Sequence, residues 1–91
     1  MTSIETETID RARADLARRL GVDKTDIVEE LSERADFPDG ALGASLDDEM
    51  SAQVITPGWR IRLSAQGQSY EYRSSGNRLR LVNFRGRNYK V

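Results

Sequence analysis

The chain contains no cysteine and no histidine among its 91 residues. The lack of cysteine excludes a disulfide framework, a thiolate nucleophile and a thiolate metal site. The lack of histidine removes the commonest metal ligand and the usual base near neutral pH. The serine residues lie in no nucleophile-elbow pattern, and no glycine-rich phosphate loop precedes a helix. We therefore expect no enzymatic activity, no catalytic residue and no cofactor.

The one acidic run does not have the pattern of a metal site. Asp47, Asp48 and Glu49 are consecutive. They lack the oxygen spacing and the glycine of an EF-hand loop. A solvated loop is the simpler interpretation, and no metal is expected.

Long apolar segments are also missing. No stretch approaches the roughly 20 apolar residues that span a bilayer, and residues 1–7 lack the charged and apolar regions of a signal peptide. As written, the sequence predicts a cytoplasmic protein with no membrane span. It would instead be exported if a leader had been removed.

Size and composition favour one folded domain. Hydrophobic residues make up 37% of the chain and charged residues 32%. A chain of this length buries only about 60 to 65% of the surface that it exposes when unfolded, so the core is modest. We expect a single domain over residues 1–91, with residues 1–7 and 85–91 flexible.

Charge is divided unevenly along the sequence. Residues 1–57 hold 14 acidic and 6 basic residues, for a net charge of −8. Residues 58–91 hold one acidic and eight basic residues, for a net charge of +7. This division bears on solubility and on anionic partners, but it does not define a fold.

Residues 8–20 have the pattern of an amphipathic helix, with apolar residues at helical spacing and charged residues between them. Gly21 lies where a helix commonly ends in a left-handed residue. The apolar positions are Ile9, Ala12, Leu16, Ala17 and Leu20.

Residues 26–37 are ambiguous. Ile27, Val28, Leu31 and Ala35 fit one face of a helix, and the glutamates between them are good helix formers. Alternate residues of the same segment also fit one side of a β-strand, although imperfectly. Local propensity favours the helix.

The rest of the chain alternates apolar and polar residues, which is typical of strands. After a turn and loop that begin at Phe37-Pro38, Pro57-Gly58 reads as a tight turn between two strands. We expect an antiparallel meander with one apolar face for the helix to cover. The predicted strands are residues 50–56, 59–63, 69–73 and 78–84.

Five arginines share the face of this meander opposite the apolar face. The aromatic residues of the strands alternate in step with the aliphatic residues, so we expect them in the core. Guanidinium groups bind carboxylates and phosphates at two points. The arginines therefore predict a docking surface for an acidic protein or another anionic partner, although solvated arginines paired with nearby acids would give the same pattern. They are Arg60, Arg62, Arg73, Arg78 and Arg80.

Four short motifs, taken in order, resemble a family of small, mostly uncharacterised bacterial domains. In that family an "ADLA-RLG" helix is followed by a "WPDGSLGC" loop, a "TPGYRI-L" strand and a "YEY" strand. The corresponding segments here are residues 14–21, 37–43, 53–63 and 70–72, and the likeness covers about residues 12–73. Phe37 replaces the family's tryptophan and Ala44 its cysteine.

The resemblance implies a fold but no activity. Its pattern has a strand where residues 27–37 lie, so we predict a strand there against local propensity. The predicted fold is α+β, with an N-terminal helix packed on a four-stranded antiparallel sheet (α-β-β-β-β), similar to cystatin-like and PepSY-like domains. The alternative is two helices followed by a three-stranded meander. The resemblance also implies that such domains are often exported.

The resulting hypothesis is a non-enzymatic binding or interaction module. A second candidate contact, besides the arginines, is the turn-rich loop with Pro38, Asp39, Gly40, Leu42 and Gly43. One alternative is a nucleic-acid-binding domain that uses the arginines and the basic tail from Arg85 to Val91. Another is a protease-inhibitor-like protein, because residues 53–59 faintly echo an inhibitor hairpin.

Overall fold

The structure is a computed structural model that describes residues 4–91. Within this range the chain forms one α-helix, a short 3-10 helix and five β-strands. Of the segment 1–7 that was predicted to be flexible, residues 1–3 lie outside the described residues, and the helix begins at Ile4. The elements in chain order are α1 (Ile4–Leu20), the 3-10 helix Lys24–Asp26, β1 (Val28–Phe37), β2 (Thr56–Ala65), β3 (Gln68–Ser75), β4 (Arg78–Phe84) and β5 (Arg87–Lys90).

The five strands form one sheet in the order β1-β2-β3-β4-β5, with every neighbouring pair antiparallel. Strand order therefore follows chain order. The predicted α+β class and antiparallel meander are confirmed. The predicted number of four strands is wrong, because the sheet has a fifth. The prediction of a single domain stays a prediction.

α1 covers one face of this sheet, which we call the helix face. Ala12 and Leu16 are fully buried against it. Arg11 Nη1 donates to the carbonyl oxygen of Asn77 at 3.0 Å, which ties the helix to the later part of the chain. No helix in residues 4–91 is long and apolar enough to cross a membrane.

The helix face carries the apolar half of the alternation, as predicted. Tyr72 is fully buried there, and Trp59 and Tyr70 pack against the same cluster. Arg19 lies 4.4 Å from the ring centre of Tyr89 on β5. The strand residues buried in the cluster are Ile61, Leu63, Ala65, Tyr72, Leu79, Leu81 and Phe84.

One polar contact joins the helix to the sheet inside this core. Tyr72 Oη donates to Asp15 Oδ2 at 2.8 Å, and Asp15 also accepts from Arg18 and Arg19 at 2.7 Å each. Burial raises the pKa of Tyr72 above its usual value, and the bond to the Asp15 carboxylate raises it further. The phenol therefore stays a donor, and the buried carboxylate is not left unpaired.

β1 is a strand, so the helical alternative for residues 26–37 is wrong, as is the two-helix fold built on it. Pairing with β2 along its length outweighs the helix propensity of its glutamates. A register shift between Glu29 and Leu31 places Glu29 on the opposite face from Leu31, which accounts for one of the two glutamates that interrupt the alternation. The other, Glu33, lies opposite Arg60.

The predicted strand over residues 50–56 and the turn at Pro57-Gly58 are also wrong. β2 begins at Thr56 and continues through Pro57 and Gly58. Proline is tolerated there because pairing with β3 begins only at Trp59. Glycine is required for another reason: a Cβ on Gly58 would lie 2.0 Å from the carbonyl oxygen of Ser74.

The tail predicted to be flexible contains β5. Arg85 and Gly86 both have positive φ (53° and 85°) and form a two-residue turn between Phe84 and Arg87. Turns of this kind match the twist of a hairpin. The basic tail therefore supplies the turn and the second strand of the last hairpin, whose first strand is β4.

Candidate functional site

The second face of the sheet carries a row of charged residues, one from each strand. Direct cross-strand pairing places Arg60 beside Arg73, Arg73 beside Arg80, and Arg80 beside Lys90. Glu33 completes the row on β1. Because like charges directly opposite each other destabilise a sheet, this face needs acidic partners.

Three carboxylates supply that compensation. Glu33 Oε1 lies 3.1 Å from Arg60 Nη1. Glu71 Oε2 lies 2.7 Å from Arg73 Nε and 3.6 Å from Arg60 Nε. Glu49, from outside the sheet, pairs with Arg80 and lies 3.7 Å from Lys90. The row is thus largely neutralised within the chain.

Residues 38–55, which we call the covering loop, fold over this face. Ala41, Leu42 and Ala44 of the loop are fully buried, and so is Phe37 just before it. The guanidinium carbon of Arg73 lies 5.4 Å from the ring centre of Phe37. The domain therefore has a second, smaller buried layer on the side opposite the helix.

Three arginines hold the covering loop by its backbone, and we call them the arginine clamp. Arg73 Nη1 donates to the carbonyl oxygen of Leu42 at 2.9 Å. Arg78 Nη1 donates to that of Gly40 at 2.6 Å. Arg80 Nη1 donates to that of Ala44 at 3.3 Å. Long side chains from the sheet thus satisfy carbonyl groups that lie outside any regular structure.

Arg80 of the clamp also binds the carboxylate of Glu49. The two terminal nitrogens of Arg80 bind the two oxygens of Glu49 at 2.5 and 2.6 Å. The Arg80 hydrogen bonds, helped by the backbone N–H of Leu46, lower the pKa of Glu49 from 4.5 to about 2, against an opposing effect of burial. Arg80 is itself only 5% exposed.

The first turn of the covering loop is shaped by Asp39. Its Oδ1 accepts from the backbone N–H of Ala41 at 2.9 Å and of Gly43 at 3.0 Å. Leu42 and Gly43 both have positive φ (62° and 68°). A Cβ on Gly43 would lie 2.7 Å from Arg73 Nη1, so the glycine also leaves room for the clamp.

The structure brings the two predicted sites together, with the turn-rich loop lying on the arginines. The predicted open arginine face is therefore corrected: Arg73, Arg78 and Arg80 donate to the loop instead of standing free. The difference arises because the carbonyl oxygens of Gly40, Leu42 and Ala44 accept from these arginines and not from the loop backbone. The binding role of these residues stays a prediction.

The other predicted site residues lie at the margins of this arrangement. Arg60 is paired with Glu33 and Glu71. Arg62 is exposed and makes no ion pair among the residues that the structure describes. Pro38 is also exposed.

Sequence reasoning missed an exposed apolar segment at the end of the covering loop. Met50 is 97% exposed, Val54 57% and Ile55 73%. We call residues 50–55, which carry these three exposed side chains, the apolar arm. The sequence pattern predicts a strand here, in which alternate side chains would be buried, but β2 begins only at Thr56. The acidic residues 47–49 before the arm do not predict that these side chains are exposed.

The helix face, the covered face and the strand order together define a small α+β domain, one helix on a five-stranded meander. The chain belongs to the family described as Domain of unknown function (DUF8738), whose model matches residues 9–82. This agrees with the resemblance to an uncharacterised small domain family. No curated protein and no solved structure matches the chain.

Proposed function

We propose that the protein is a non-enzymatic binding module whose partner is another protein, and that the apolar arm makes the contact. The observation that carries this proposal is the exposure of Met50, Val54 and Ile55 within six residues. Single exposed apolar residues are ordinary, whereas a group of them on a polar domain is typical of interaction sites.

The arm is held in place although it belongs to no strand. Before it, Glu49 is bound by Arg80. In its middle, the N–H of Gly40 donates to the carbonyl oxygen of Ala52 at 2.9 Å. At its end, Thr56 Oγ1 donates to the carbonyl oxygen of Val54 at 3.0 Å. A segment fixed in this way loses less conformational entropy on binding than a free one.

This proposal gives the arginines an indirect role. The clamp fixes the covering loop, and the covering loop carries the arm. Arg73, Arg78 and Arg80 would then be positioning residues, with the partner touching Met50 and Ile55.

The test is capture of partners from the native lysate by immobilised protein. Met50→Ser/Ile55→Ser should lose the proteins that the wild type retains. Ile55→Ser and Val28→Ser form a matched pair, because Val28 is also exposed (60%) but lies on β1. The proposal fails if all variants retain the same proteins, or if Val28→Ser loses as many as Ile55→Ser.

The two alternatives have less support. The nucleic-acid alternative needs free cations with aromatic residues beside them, yet Trp59, Tyr70 and Tyr72 pack on the helix face. A gel shift with mixed DNA and RNA oligomers at low salt tests it directly. The inhibitor alternative lacks its hairpin, because β2 runs straight through Pro57 and Gly58.

A further inference from the structure

The two outer edges of the sheet carry opposite charge. β1 contains four acidic residues and one basic residue, for a net charge of −3. Residues 85–91, which contain β5, hold three basic residues and no acidic one, for a net charge of +3. The acidic residues of β1 are Glu29, Glu30, Glu33 and Asp36, and the basic residues of the last segment are Arg85, Arg87 and Lys90.

This polarity follows from the topology. Because strand order follows chain order, the acid-rich first part of the sequence supplies one edge and the base-rich last part supplies the other. A sheet with a crossover would have mixed the two. The division of charge along the chain thus becomes a division across the molecule.

Both edges lack a neighbouring strand, although the covering loop contacts β5, where Asn88 Nδ2 donates to the carbonyl oxygen of Ser45 at 3.0 Å. No strand lies outside β1 or β5 among residues 4–91. The side chains of Glu29, Asp36 and Arg87 are exposed and make no hydrogen bond or ion pair within that range. An unpaired strand edge is a template for another strand.

Charge decides which strand fits each edge. Glu33 and Lys90 are already paired with Arg60 and Glu49. Two copies of β1 side by side would still bring together the exposed Glu29 and Asp36 of each copy, which form no ion pair in residues 4–91. Two copies of β5 would do the same with Arg85 and Arg87. Such like-charge contacts are unfavourable. Only the pairing of β1 with β5 brings opposite charges together.

We propose that copies of this chain associate head to tail, with β1 of one copy pairing with β5 of the next. The interface is heterologous, because the two surfaces differ, so further copies can add at both ends. The apolar arm has no part in this contact, and the inference goes beyond the proposed function.

The association is weak and sensitive to salt. β5 spans only the four residues Arg87–Lys90, so few backbone hydrogen bonds form, and much of the attraction is between exposed charges. Raising the ionic strength from 0.1 to 1 M shortens the screening length from about 10 Å to about 3 Å.

The experiment is sedimentation equilibrium of the full chain over a wide concentration range. At low salt the weight-average mass should rise with concentration, and at high salt it should fall towards the monomer. The acid-edge variant Glu29→Gln/Asp36→Asn and the base-edge variant Arg85→Asn/Arg87→Gln should each associate roughly tenfold more weakly.

Mixing the two edge variants gives the sharpest result. The acid-edge variant keeps its basic edge, and the base-edge variant keeps its acidic edge. Together they should form 1:1 pairs that grow no further. The control Glu7→Gln/Asp10→Asn makes the same change in net charge as the acid-edge variant, but on α1 instead of β1, and it should associate like the wild type.

Three outcomes would overturn the inference. One is a wild type that stays monomeric at every concentration in low salt. Another is a control variant that weakens association as much as the edge variants do. The third is loss of association in Met50→Ser/Ile55→Ser with both edges intact, since the apolar arm would then be the contact.

Discussion

The two faces of this sheet are covered by different kinds of structure, and they are held by different kinds of interaction. On the helix face, α1 packs apolar side chains against the strands with one buried polar contact, between Asp15 and Tyr72. On the other face, the covering loop is held by arginines that donate to its carbonyl oxygens. A helix satisfies most of its backbone groups internally, whereas a loop brings carbonyl groups that need donors. The arginines on the loop side are thus explained by what covers them.

Removing one buried leucine from each face should give the largest single loss of stability, and that loss should fall on the helix face. Leu16 and Leu42 are both fully buried. Leu16→Ala should lower the free energy of unfolding by roughly 3 kcal/mol, because the helix and sheet around it are rigid. Leu42→Ala should cost about 1 to 2 kcal/mol, because a loop can collapse into the space. Urea denaturation measures both, and equal losses would show that the loop is as rigid as the helix.

Breaking the clamp should have the next largest effect. Arg80→Met leaves Glu49 and the carbonyl oxygen of Ala44 without their donor, which should cost roughly 2 kcal/mol for this partly buried pair. Arg62→Met is the matched control, since Arg62 is an exposed arginine of the same face. Hydrogen exchange should show loss of protection at the Gly40 amide in Arg80→Met alone. An Arg62→Met variant equally destabilised would contradict the clamp.

Lowering the pH should reduce the free energy of unfolding by protonating Glu49, which holds the covering loop. We expect this effect to be the smallest of the three. The pKa of Glu49 falls from 4.5 to about 2 on folding, so its carboxylate stabilises the fold above about pH 4.5. That contribution is lost as the pH falls through the interval down to about 2. The stability difference between wild type and Glu49→Gln, about 1 kcal/mol at neutral pH, should shrink over this interval. A difference that does not change with pH would show that the charge of Glu49 is not what holds the loop.

Periodicity predicted the regular part of the fold well. The alternation from Trp59 to Leu81 places rings and arginines on opposite faces, as found. β1 could not be obtained from propensity, because its glutamates favour a helix. It was predicted only through the family resemblance, and pairing with β2 is what makes it a strand.

The errors arise where a local turn signal competes with distant contacts. Pro57-Gly58 has the composition of a turn, yet Gly58 is needed because the backbone of Ser74 passes close to it. Arg85-Gly86 is a hairpin turn, whereas the sequence predicts a flexible terminus there. Local sequence patterns could not predict the contacts of the arginine clamp, because Arg80 and Glu49 are 31 residues apart and meet only when the covering loop lies on the sheet.

The contacts of α1 have a consequence for synthesis of the protein on the ribosome. The helix lies early in the sequence, but it packs on Tyr72, Leu81 and Phe84 and touches Asn77 and Tyr89. At ordinary translation rates those residues follow the helix by roughly 3 to 14 seconds. During that delay the strands that cover its apolar stripe in the folded domain have not yet been made, so the stripe is open to other apolar partners, such as a chaperone.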